Sequence, residues 1–496
     1  MEIENNENNQ YRSIRLKKLE TVRELGYNPY PSNFNKSHSS NEIHSKYSTL
    51  APGEVTQDEV LVAGRIMAMR NNGLFIDLHD DQGKLQIFSH EKNLTPDQLN
   101  LLKTFDIGDI IGVKGIVRCT PRGEITINSF HIELLSKALL TLPEKYHGLS
   151  NVETKYRQRY VDLIINEETR NTLKIRSKII SSIREHLTNS EFLEVETPML
   201  HPIPGGAIAK PFVTHHNSLD IDLYLRIAPE LYLKKLLIGG LSEKIFELNR
   251  CFRNEGTSTR HNPEFTSIEI YQAYVNFETM IDLTESTVSY ILSKLFSEAG
   301  NNISYSDKIL NFATPWQRKS MSDLVKEAVG IDFMDIKTDS EAREAANKIG
   351  IKVEPSFGWG KTLEAIFAEK VEHNLIDPIH VTYLPTEISP LAKICSHDSR
   401  ITERFETYIN GWEIANGFSE LNDPIDQASR FADQMKDRES GNEEAHQVDH
   451  DFLTALEFAM PPAGGLGIGI DRLVMILTNS ASIRDVIAFP TLRPIL

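Results

Sequence analysis

The chain has 496 residues, enough for two or three domains, and its formal net charge at pH 7 is −17. So acidic a chain is not expected to bind nucleic acid over its whole surface, and any such contact has to be local and basic. The three cysteines are isolated and fit no zinc-binding spacing, and the sequence has neither a signal peptide nor an apolar run of 18 residues. We therefore expect a protein of the reducing cytoplasm without a membrane segment.

Residues 1–59 are predicted to form a helical extension, and residues 139–166 a linker. Each contains a group of basic residues, which is usually a solvated surface but is also a candidate for local contact with nucleic acid. The first group lies on a helix ending near Gly26 and comprises Arg12, Arg15, Lys17, Lys18 and Arg23, and the second comprises Lys155, Arg157 and Arg159.

Between these two segments, residues 60–138 contain five short runs with alternating apolar residues, which predict strands. They cover residues 61–66, 74–78, 84–88, 110–117 and 124–127, with a helical stretch near residues 96–104. Five short strands with turns indicate a small Greek-key barrel of the OB type. Such barrels bind single-stranded nucleic acid by stacking its bases on aromatic side chains.

Further along, residues 244–252 and 265–274 alternate between apolar and polar types and predict two antiparallel strands joined by a long polar loop. Strand parity places Glu247 beside Asn249 on one face, and Glu269 beside Tyr271 on one face of the second strand. A sheet face with these side chains is a poor hydrophobic core. We expect it to form the floor of a site for a charged ligand.

A hairpin is predicted around Asn410 and Gly411, a dipeptide that favours two-residue turns. In that register Tyr408 opposes Glu413 and Glu406 opposes Ala415, so the two glutamates become diagonal neighbours. Like charges in this position repel unless a cation lies between them. The pair therefore predicts a Mg²⁺ site whose shell nucleotide phosphates complete.

Simple alternation along the same strand sends Asn416, Phe418 and Glu420 to the face opposite the glutamate pair. We expect a β-bulge at Gly417 to turn Glu420 back toward the site.

The last informative segment, residues 464–475, begins with alternating glycines at 465, 467 and 469. On a strand these glycines share one face and leave it bare, so that a planar ring can lie against the backbone; a glycine strand packed on a helix is the simpler alternative. Asp471 is the predicted N-cap of the following helix, and Arg472 in its first turn is suited to a base or a phosphate. A dinucleotide-binding loop is excluded because Ile470 stands where that motif requires glycine.

In this order the segments resemble the class II aminoacyl-tRNA synthetases, and in detail the lysyl-tRNA synthetase family. The strings that carry the resemblance are RIAPELYLK at 226–234, RHNPEF at 260–265, NGFSELND at 416–423 and GLGIGIDRLVM at 465–475. The resemblance extends from about residue 11 to the C-terminus. It implies an α+β fold in which an N-terminal OB-fold β-barrel precedes a class II catalytic domain, an antiparallel sheet flanked by helices, over residues 167–496. A helical module is expected as an insertion at residues 312–375, and the segments 172–187 and 194–200 fit the family's dimer-forming element.

The activity implied by the resemblance is ATP-dependent activation of L-lysine to lysyl-adenylate and transfer to the 3′ end of tRNA(Lys). The residue roles that it implies fall into five groups. They are Arg253 and Arg472 for catalysis; Arg253, Glu255, His261, Phe265 and Arg472 for ATP; Gly206, Glu230, Glu269, Tyr271, Asn416, Phe418 and Glu420 for lysine; Glu406 and Glu413 for Mg²⁺; and Phe75, Gln86 and Glu124 for the anticodon.

Three other functions compete with this interpretation. A synthetase of the aspartyl or asparaginyl type is disfavoured because its pocket needs a cationic or amide group where this chain has Glu420 and Tyr271. A paralogue that lysylates a protein is disfavoured by the predicted barrel, and a non-catalytic module by the complete set of candidate site residues. Without the resemblance, Phe75 would equally well be ordinary barrel core.

Overall fold

The computed structural model of the chain describes residues 2–143, 152–207, 209–439 and 448–494. The chain divides into two compact units, Met1–Ser150 and Asn151–Leu496. None of the helices within the described residues is both long and apolar enough to cross a membrane.

The first unit is built around a barrel of alternating strands. Its described elements are α1 (Glu2–Glu24), α2 (Ser40–Lys46), β1 (Val55–Arg70), β2 (Phe75–His79), β3 (Lys84–Phe88), α3 (Pro96–Leu102), β4 (Ile110–Cys119) and β5 (Ile125–Ser136). The strands close into a barrel in the order β1, β2, β3, β5, β4. Alternate residues such as Val60, Val62 and Ile66 are fully or almost fully buried in its core. The predicted strands and the helix are confirmed, although β1, β4 and β5 extend beyond the predicted segments.

The second unit contains the following described elements: α4 (Val152–Arg157), α5 (Arg159–Ile165), α6 (Glu167–Asn189), β6 (Leu193–Glu194), β7 (Leu200–His201), β8 (Val213–His216), β9 (Ile221–Leu225), α7 (Glu230–Ile238), β10 (Lys244–Phe252), β11 (Glu264–Ala273), α8 (Phe277–Leu295), β12 (Asn302–Tyr305), β13 (Lys308–Asn311), β14 (Gln317–Ser320), α9 (Met321–Val329), α10 (Asp339–Lys348), α11 (Trp359–Lys370), β15 (Ile379–Thr382), β16 (Ile394–Cys395), β17 (Asp398–Thr402), β18 (Arg404–Ile409), β19 (Trp412–Ser419), α12 (Pro424–Glu439), α13 (His450–Glu457), β20 (Ala463–Gly469), α14 (Ile470–Leu477) and α15 (Ile483–Val486).

Eight of these strands form one sheet in the order β14, β15, β18, β19, β20, β11, β10, β6. The outermost pair at each end is parallel and the other pairs are antiparallel. Apolar residues at alternate strand positions, such as Phe246, Ile268 and Leu466, face one side and form a core with residues of α6, α8 and α14. The predicted antiparallel sheet flanked by helices is confirmed, and its other face carries polar side chains beside a second hydrophobic core formed with α7 and α13.

Residues 312–375, the expected insertion, contain β14 and three helices. β14 belongs to the main sheet, where it pairs with β15. Helices α9, α10 and α11 share a hydrophobic core of their own with residues such as Phe333 and Trp359.

One arginine of each predicted basic patch is not free surface, although Arg12, Lys17 and Arg23 of the first patch are exposed. The guanidinium of Arg15 donates to the carbonyl oxygens of Ile107, Ala138 and Leu140, and Arg15 is buried. Arg159 is fully buried, pairs with Asp162, and lies in α5 rather than in a linker, because residues 152–165 form α4 and α5 of the second unit. In both cases the positive charge satisfies carbonyl and carboxylate oxygens inside the fold.

Candidate active site

The floor of the site consists of two rows of residues that cross five strands on the sheet face opposite the hydrophobic core. Directly paired residues of neighbouring strands project to the same face, so the strand register defines each row. One row is Glu247, Glu269, Gly467, Asn416 and Glu406, and the next is Ile245, Tyr271, Gly465, Phe418 and Arg404. The glycines stand at the centre of both rows, so the middle of the floor is bare backbone, and three of the four row ends carry a charged side chain. The predicted polar face and the shared face of the glycines are confirmed.

The β-bulge that brings the lysine-pocket candidates onto this face is not at Gly417. Pairing is unbroken from residue 415 to 418, and the extra residue is Ile414, which lies between Glu413 opposite Tyr408 and Ala415 opposite Thr407. The prediction that Glu406 opposes Ala415 is therefore wrong, because the extra residue shifts Asn416 into that position. The apolar side chain of Ile414 enters the core, and the shift in parity after it turns Asn416, Phe418 and Glu420 toward the site.

Above the floor lies a cavity of about 220 Å³. Most of the predicted ATP-binding and lysine-binding residues line it, and they come from three separate parts of the chain. They are Gly206, Glu230, Arg253, Glu255, His261, Phe265, Glu269, Tyr271, Asn416, Phe418 and Arg472, together with Glu413 of the predicted metal pair. Glu406 and Glu420 are not among the lining residues. Glu420 is buried with its carboxylate over Gly465 on the same sheet face, and Glu406 lies beside Arg404 at the end of the first row.

At one end of the cavity, the guanidinium of Arg253 lies over the ring of Phe265, with 5.1 Å between its central carbon and the ring centroid. The Arg253 Nε atom is buried and has no hydrogen-bond partner among the described residues. Arg472 donates one hydrogen bond of 2.8 Å to the carbonyl oxygen of Glu413 and another of 3.0 Å to Nε2 of His261. Burial, aided by the charge of Arg472, lowers the pKa of His261 and thus favours its neutral, accepting form. This end of the cavity therefore presents two guanidinium groups to an anionic ligand.

Asp471 does not cap α14, contrary to the prediction. The residue before the helix is Gly469, and Asp471 is buried inside the first turn. Its carboxylate accepts a hydrogen bond of 2.7 Å from the backbone N–H of Thr266 and pairs with Arg176. Asp471 thus ties α14 to β11 and fixes the position of the neighbouring Arg472.

At the other end of the cavity, three buried carboxylates surround one buried ammonium group. Nζ of Lys234 lies 2.6 Å from Glu230 Oε1 and 2.6 Å from Glu420 Oε2, while Glu269 accepts a hydrogen bond of 3.0 Å from the hydroxyl of Tyr271. Burial raises the pKa of Glu269 and of Glu420 to about 8, and the negative charge of Glu230 adds to the effect. The carboxylates outnumber the ammonium group, so this end of the cavity favours a cationic ligand.

The predicted metal pair, Glu406 and Glu413, lies near Arg472 and Arg404. Glu406 accepts from Arg404 at 2.6 Å and from the hydroxyl of Tyr408 at 2.7 Å. Burial raises the pKa of Glu406 to about 7; Arg404 opposes this shift and Glu413 adds to it. No cluster of three or more metal-binding side chains occurs in the part of the chain that the structure describes. Oxygen donors of this kind nevertheless suit Mg²⁺, which typically takes one or two carboxylates and completes its shell with phosphates and water.

On the barrel, the three predicted anticodon residues lie on the adjacent strands β2 and β3 and just before β5. Phe75 is half-buried and its ring centroid lies 5.1 Å from that of Phe88. Gln86 donates a hydrogen bond of 3.1 Å to Glu124, and the guanidinium of Arg118 lies over the Phe88 ring at 4.2 Å. An aromatic pair beside amide, carboxylate and guanidinium groups has the chemistry that stacks and reads single-stranded bases.

Comparison with known proteins identifies the family. A family model described as tRNA synthetases class II (D, K and N) matches residues 151–493, and one described as OB-fold nucleic acid binding domain matches residues 60–135. The chain belongs to the class II tRNA synthetases. A lysine–tRNA ligase of Sinorhizobium medicae is 52% identical over 481 residues, which are 97% of this chain and 96% of the relative. One of Carboxydothermus hydrogenoformans is 51% identical over 494 residues, 99% of this chain and 100% of the relative. The predicted family and fold class are confirmed.

Several residues of this class II site were not singled out from the sequence. Lys234 had a detectable signal, since it follows Glu230 by four positions on one helix, the spacing of a helical ion pair. Arg404, Tyr408 and Arg176 contact site carboxylates, but their partners are two positions away on a strand or come from a distant segment. Such pairings depend on register and packing, which the local sequence pattern does not determine.

Proposed function

We propose that the chain is a lysine–tRNA ligase that joins L-lysine to ATP, releases pyrophosphate from the lysyl-adenylate step, and transfers the lysyl group to the 3′ end of tRNA(Lys). The observation that carries this proposal is the polarity of the cavity. Arginines stand at one end and buried carboxylates at the other, both over a glycine floor. L-Lysine has the complementary distribution of charge, with a carboxylate at one end, an α-ammonium group beside it and a second ammonium group at the end of the side chain. The names of the near full-length relatives support the same substrate.

The arginine end is where activation would occur. A substrate carboxylate must approach the α-phosphate of ATP, so two anions have to be brought together and their repulsion offset. Arg253 is suited to this because its Nε is buried and unpartnered among the described residues, and its flat guanidinium lies against Phe265. We assign to it contact with both the carboxylate and the α-phosphate, and to Phe265 and Glu255 the adenine. Arg472 would bind the outer phosphates, with the neutral His261 beside them as the residue that holds Arg472 in place, and the bare glycine strand leaves space for the base.

We assign Mg²⁺ to Glu406 and Glu413. Burial and the neighbouring charge of Glu413 raise the pKa of Glu406, and two such carboxylates fit a divalent cation, which would neutralise charge on the phosphates when bound. Binding of such a cation would favour the ionised form of Glu406 and leave Arg404 as its fixed partner.

The carboxylate end would select lysine. Removing an ammonium group from water is tolerable only where carboxylates and other acceptors replace its hydration. We assign the α-ammonium group to Glu230 with the backbone near Gly206, and the side-chain ammonium group to Glu420 with Tyr271 and Glu269. Asn416 and Phe418 would line the path between them.

The barrel of the first unit would bind the anticodon through Phe75, Gln86 and Glu124. We further propose a homodimer of the cytoplasm. Exposed apolar side chains on β6 to β9, namely Leu193, Leu200, Val213 and Ile221, support a partner surface on the second unit. Sedimentation at several protein concentrations would test this, and a monomer at micromolar concentration would contradict it.

The activity is tested by ATP–pyrophosphate exchange with each amino acid, followed by charging of purified tRNA. We expect exchange with lysine and charging of tRNA(Lys). Exchange with aspartate or asparagine instead would favour the sister enzymes, and lysine exchange without tRNA charging would favour a protein-lysylating enzyme. Glu420→Gln should raise the KM for lysine at least tenfold more than the KM for ATP. Glu285→Gln, which alters a buried carboxylate on the far side of the sheet, is the matched control.

A further inference from the structure

A buried lysine of the protein itself stands in the carboxylate pocket. Lys234 is fully buried on α7, one turn after Glu230, and its Nζ bridges Glu230 and Glu420 at 2.6 Å each. The ammonium group also lies 5.3 Å from the centre of the Phe418 ring. Burying an ammonium group is costly unless carboxylates compensate it. Both carboxylates raise the pKa of Lys234 although burial alone would lower it, so the residue stays charged.

Lys234 sets the charge of the pocket. When two ammonium groups bind and draw Glu230, Glu269 and Glu420 into their ionised forms, the carboxylates contribute −3 and Lys234 contributes +1, which leaves −2. L-Lysine brings two ammonium groups, and its carboxylate is assigned to Arg253. The net charge of the pocket therefore balances the charge of the two ammonium groups only while Lys234 is present.

Lys234 also determines which carboxylate oxygen is presented to a ligand. It forms an ion pair with Oε2 of Glu420, and both oxygens of this carboxylate are buried without a hydrogen-bond partner among the described residues. Oε1, which is turned away from Lys234, is directed at Gly465, whose bare backbone lines the cavity. Similarly, the bond to Lys234 occupies one oxygen of Glu230. A single ammonium group thus holds both carboxylates in place and leaves one oxygen of Glu420 for the substrate.

We propose that Lys234 is a positioning residue for amino-acid specificity, which fixes the separation of Glu230 and Glu420 and adjusts the pocket to the two positive charges of L-lysine. This rests on the proposed lysine activation but goes beyond it, because Lys234 need not touch the substrate. Its removal should weaken selection by charge and length rather than nucleotide binding.

The test is Lys234→Met, which keeps the length and apolar character of the side chain but removes the charge. The probes are L-lysine, 6-hydroxynorleucine, which replaces the side-chain ammonium group by hydroxyl, and ornithine, which is one methylene shorter. We expect the KM for lysine to rise about 30-fold, the KM for ATP to change less than threefold, and the preference for lysine over 6-hydroxynorleucine to fall at least tenfold. Lys235→Met is the control, because the neighbouring Lys235 pairs with Asp449 and Asp451, away from the carboxylates of the pocket.

The pH dependence of the lysine KM separates this role from a purely structural one, because a purely structural role of Lys234 would leave the pH profile unchanged. The groups that face Lys234 are Glu230 on its own helix, Glu269 and Tyr271 on β11, and Glu420 after β19. Without the ammonium group these carboxylates hold their protons to higher pH, so the pH at which lysine KM reaches its minimum should move upward in Lys234→Met. Lys234→Arg keeps the charge and should keep the wild-type pH profile while raising the KM for lysine.

The outcomes separate this inference from the proposed function. Wild-type protein without lysine-dependent exchange would overturn the proposed function itself. Wild-type activity together with unchanged lysine KM, analogue preference and pH profile in Lys234→Met would overturn the role of Lys234 alone. If the Met variant does not fold, Lys234→Arg decides: an unchanged lysine KM and unchanged preference over ornithine would overturn the proposal.

Discussion

Replacing Gly465 by alanine is a stringent test of the lysine pocket, because a single methyl group is added at a defined point. A Cβ atom at this position would lie 1.9 Å from Oε1 of Glu420 and 2.8 Å from a ring carbon of Tyr271. The backbone of Gly465 does not have a positive φ, so alanine causes no conformational strain there. The perturbation is therefore confined to the space between Gly465, Glu420 and the Tyr271 ring.

The size of the effect follows from these distances. Carbon and oxygen atoms approach to about 3.3 Å, so Oε1 of Glu420 must retreat by roughly 1.4 Å. A charge-assisted hydrogen bond of about 2.8 Å would lengthen to about 4.2 Å and cease to be one. Losing one partner of a buried charged hydrogen bond costs about 2–5 kcal/mol. The KM for lysine should therefore rise at least about 30-fold.

The assay is ATP–pyrophosphate exchange at varied lysine and varied ATP, with thermal unfolding to verify that the variant is folded. Gly467→Ala is the matched comparison on the same strand face, because its Cβ would meet its nearest atoms at 3.7 and 3.9 Å, an ordinary contact. We expect at least a tenfold smaller rise in lysine KM for that variant. A Gly465→Ala protein whose lysine KM stays within threefold of wild type, or equals that of Gly467→Ala, would refute the placement of Glu420 against the substrate.

Three further predictions follow from the site and the barrel. Arg253→Ala should reduce ATP–pyrophosphate exchange at least 100-fold. Arg250 is half-exposed and lies three residues earlier, so Arg250→Ala should retain exchange. Near-normal exchange in Arg253→Ala would contradict the assignment. Since burial raises the pKa of Glu420 to about 8 and an ammonium ligand requires its ionised form, lysine affinity should increase from pH 6 to pH 8 with proton release. Calorimetry in buffers of different protonation enthalpy measures this, and a pH-independent affinity argues against it. Phe75→Ala should raise the KM for tRNA about 5- to 150-fold without affecting exchange, because one stacked base contributes about 1–3 kcal/mol. Phe130→Ala is the control on the barrel. Equal effects of the two substitutions on the KM for tRNA would count against stacking on Phe75.

Alternation of residue types was sufficient to predict much of the fold and the floor of the site. The faces of β10, β11 and β20 follow from period-2 parity, because these strands pair without interruption around Glu269 and Gly467. Parity failed on β19, since one extra residue changes the face of every residue after it. Both Gly417 and Ile414 were compatible with a bulge locally, and the burial of Ile414 in the core is a tertiary effect.

Other features depend on contacts between distant segments. The carboxyl group of Asp471 has the chemistry of a helix cap, but Arg176 and the backbone of Thr266 bind it more than 200 positions away in the chain. Arg15 and Arg159 have the charge of surface residues, yet each finds several oxygen partners inside its own unit. In each case local preference is overridden by partners that the sequence does not reveal.

The extra residue at Ile414 also limits how this enzyme can change. Substitutions at Asn416, Phe418 or Glu420 would alter the pocket one contact at a time, and the strand would remain paired as it is. Loss of the bulge at constant strand length, with Ile414 drawn into the ladder, would instead exchange the two faces for every residue after Ile414 relative to Glu413. Glu413 and the lysine-binding side chains could then no longer share a cavity. New amino-acid preferences can therefore arise on β19 by replacement, whereas the bulge is constrained.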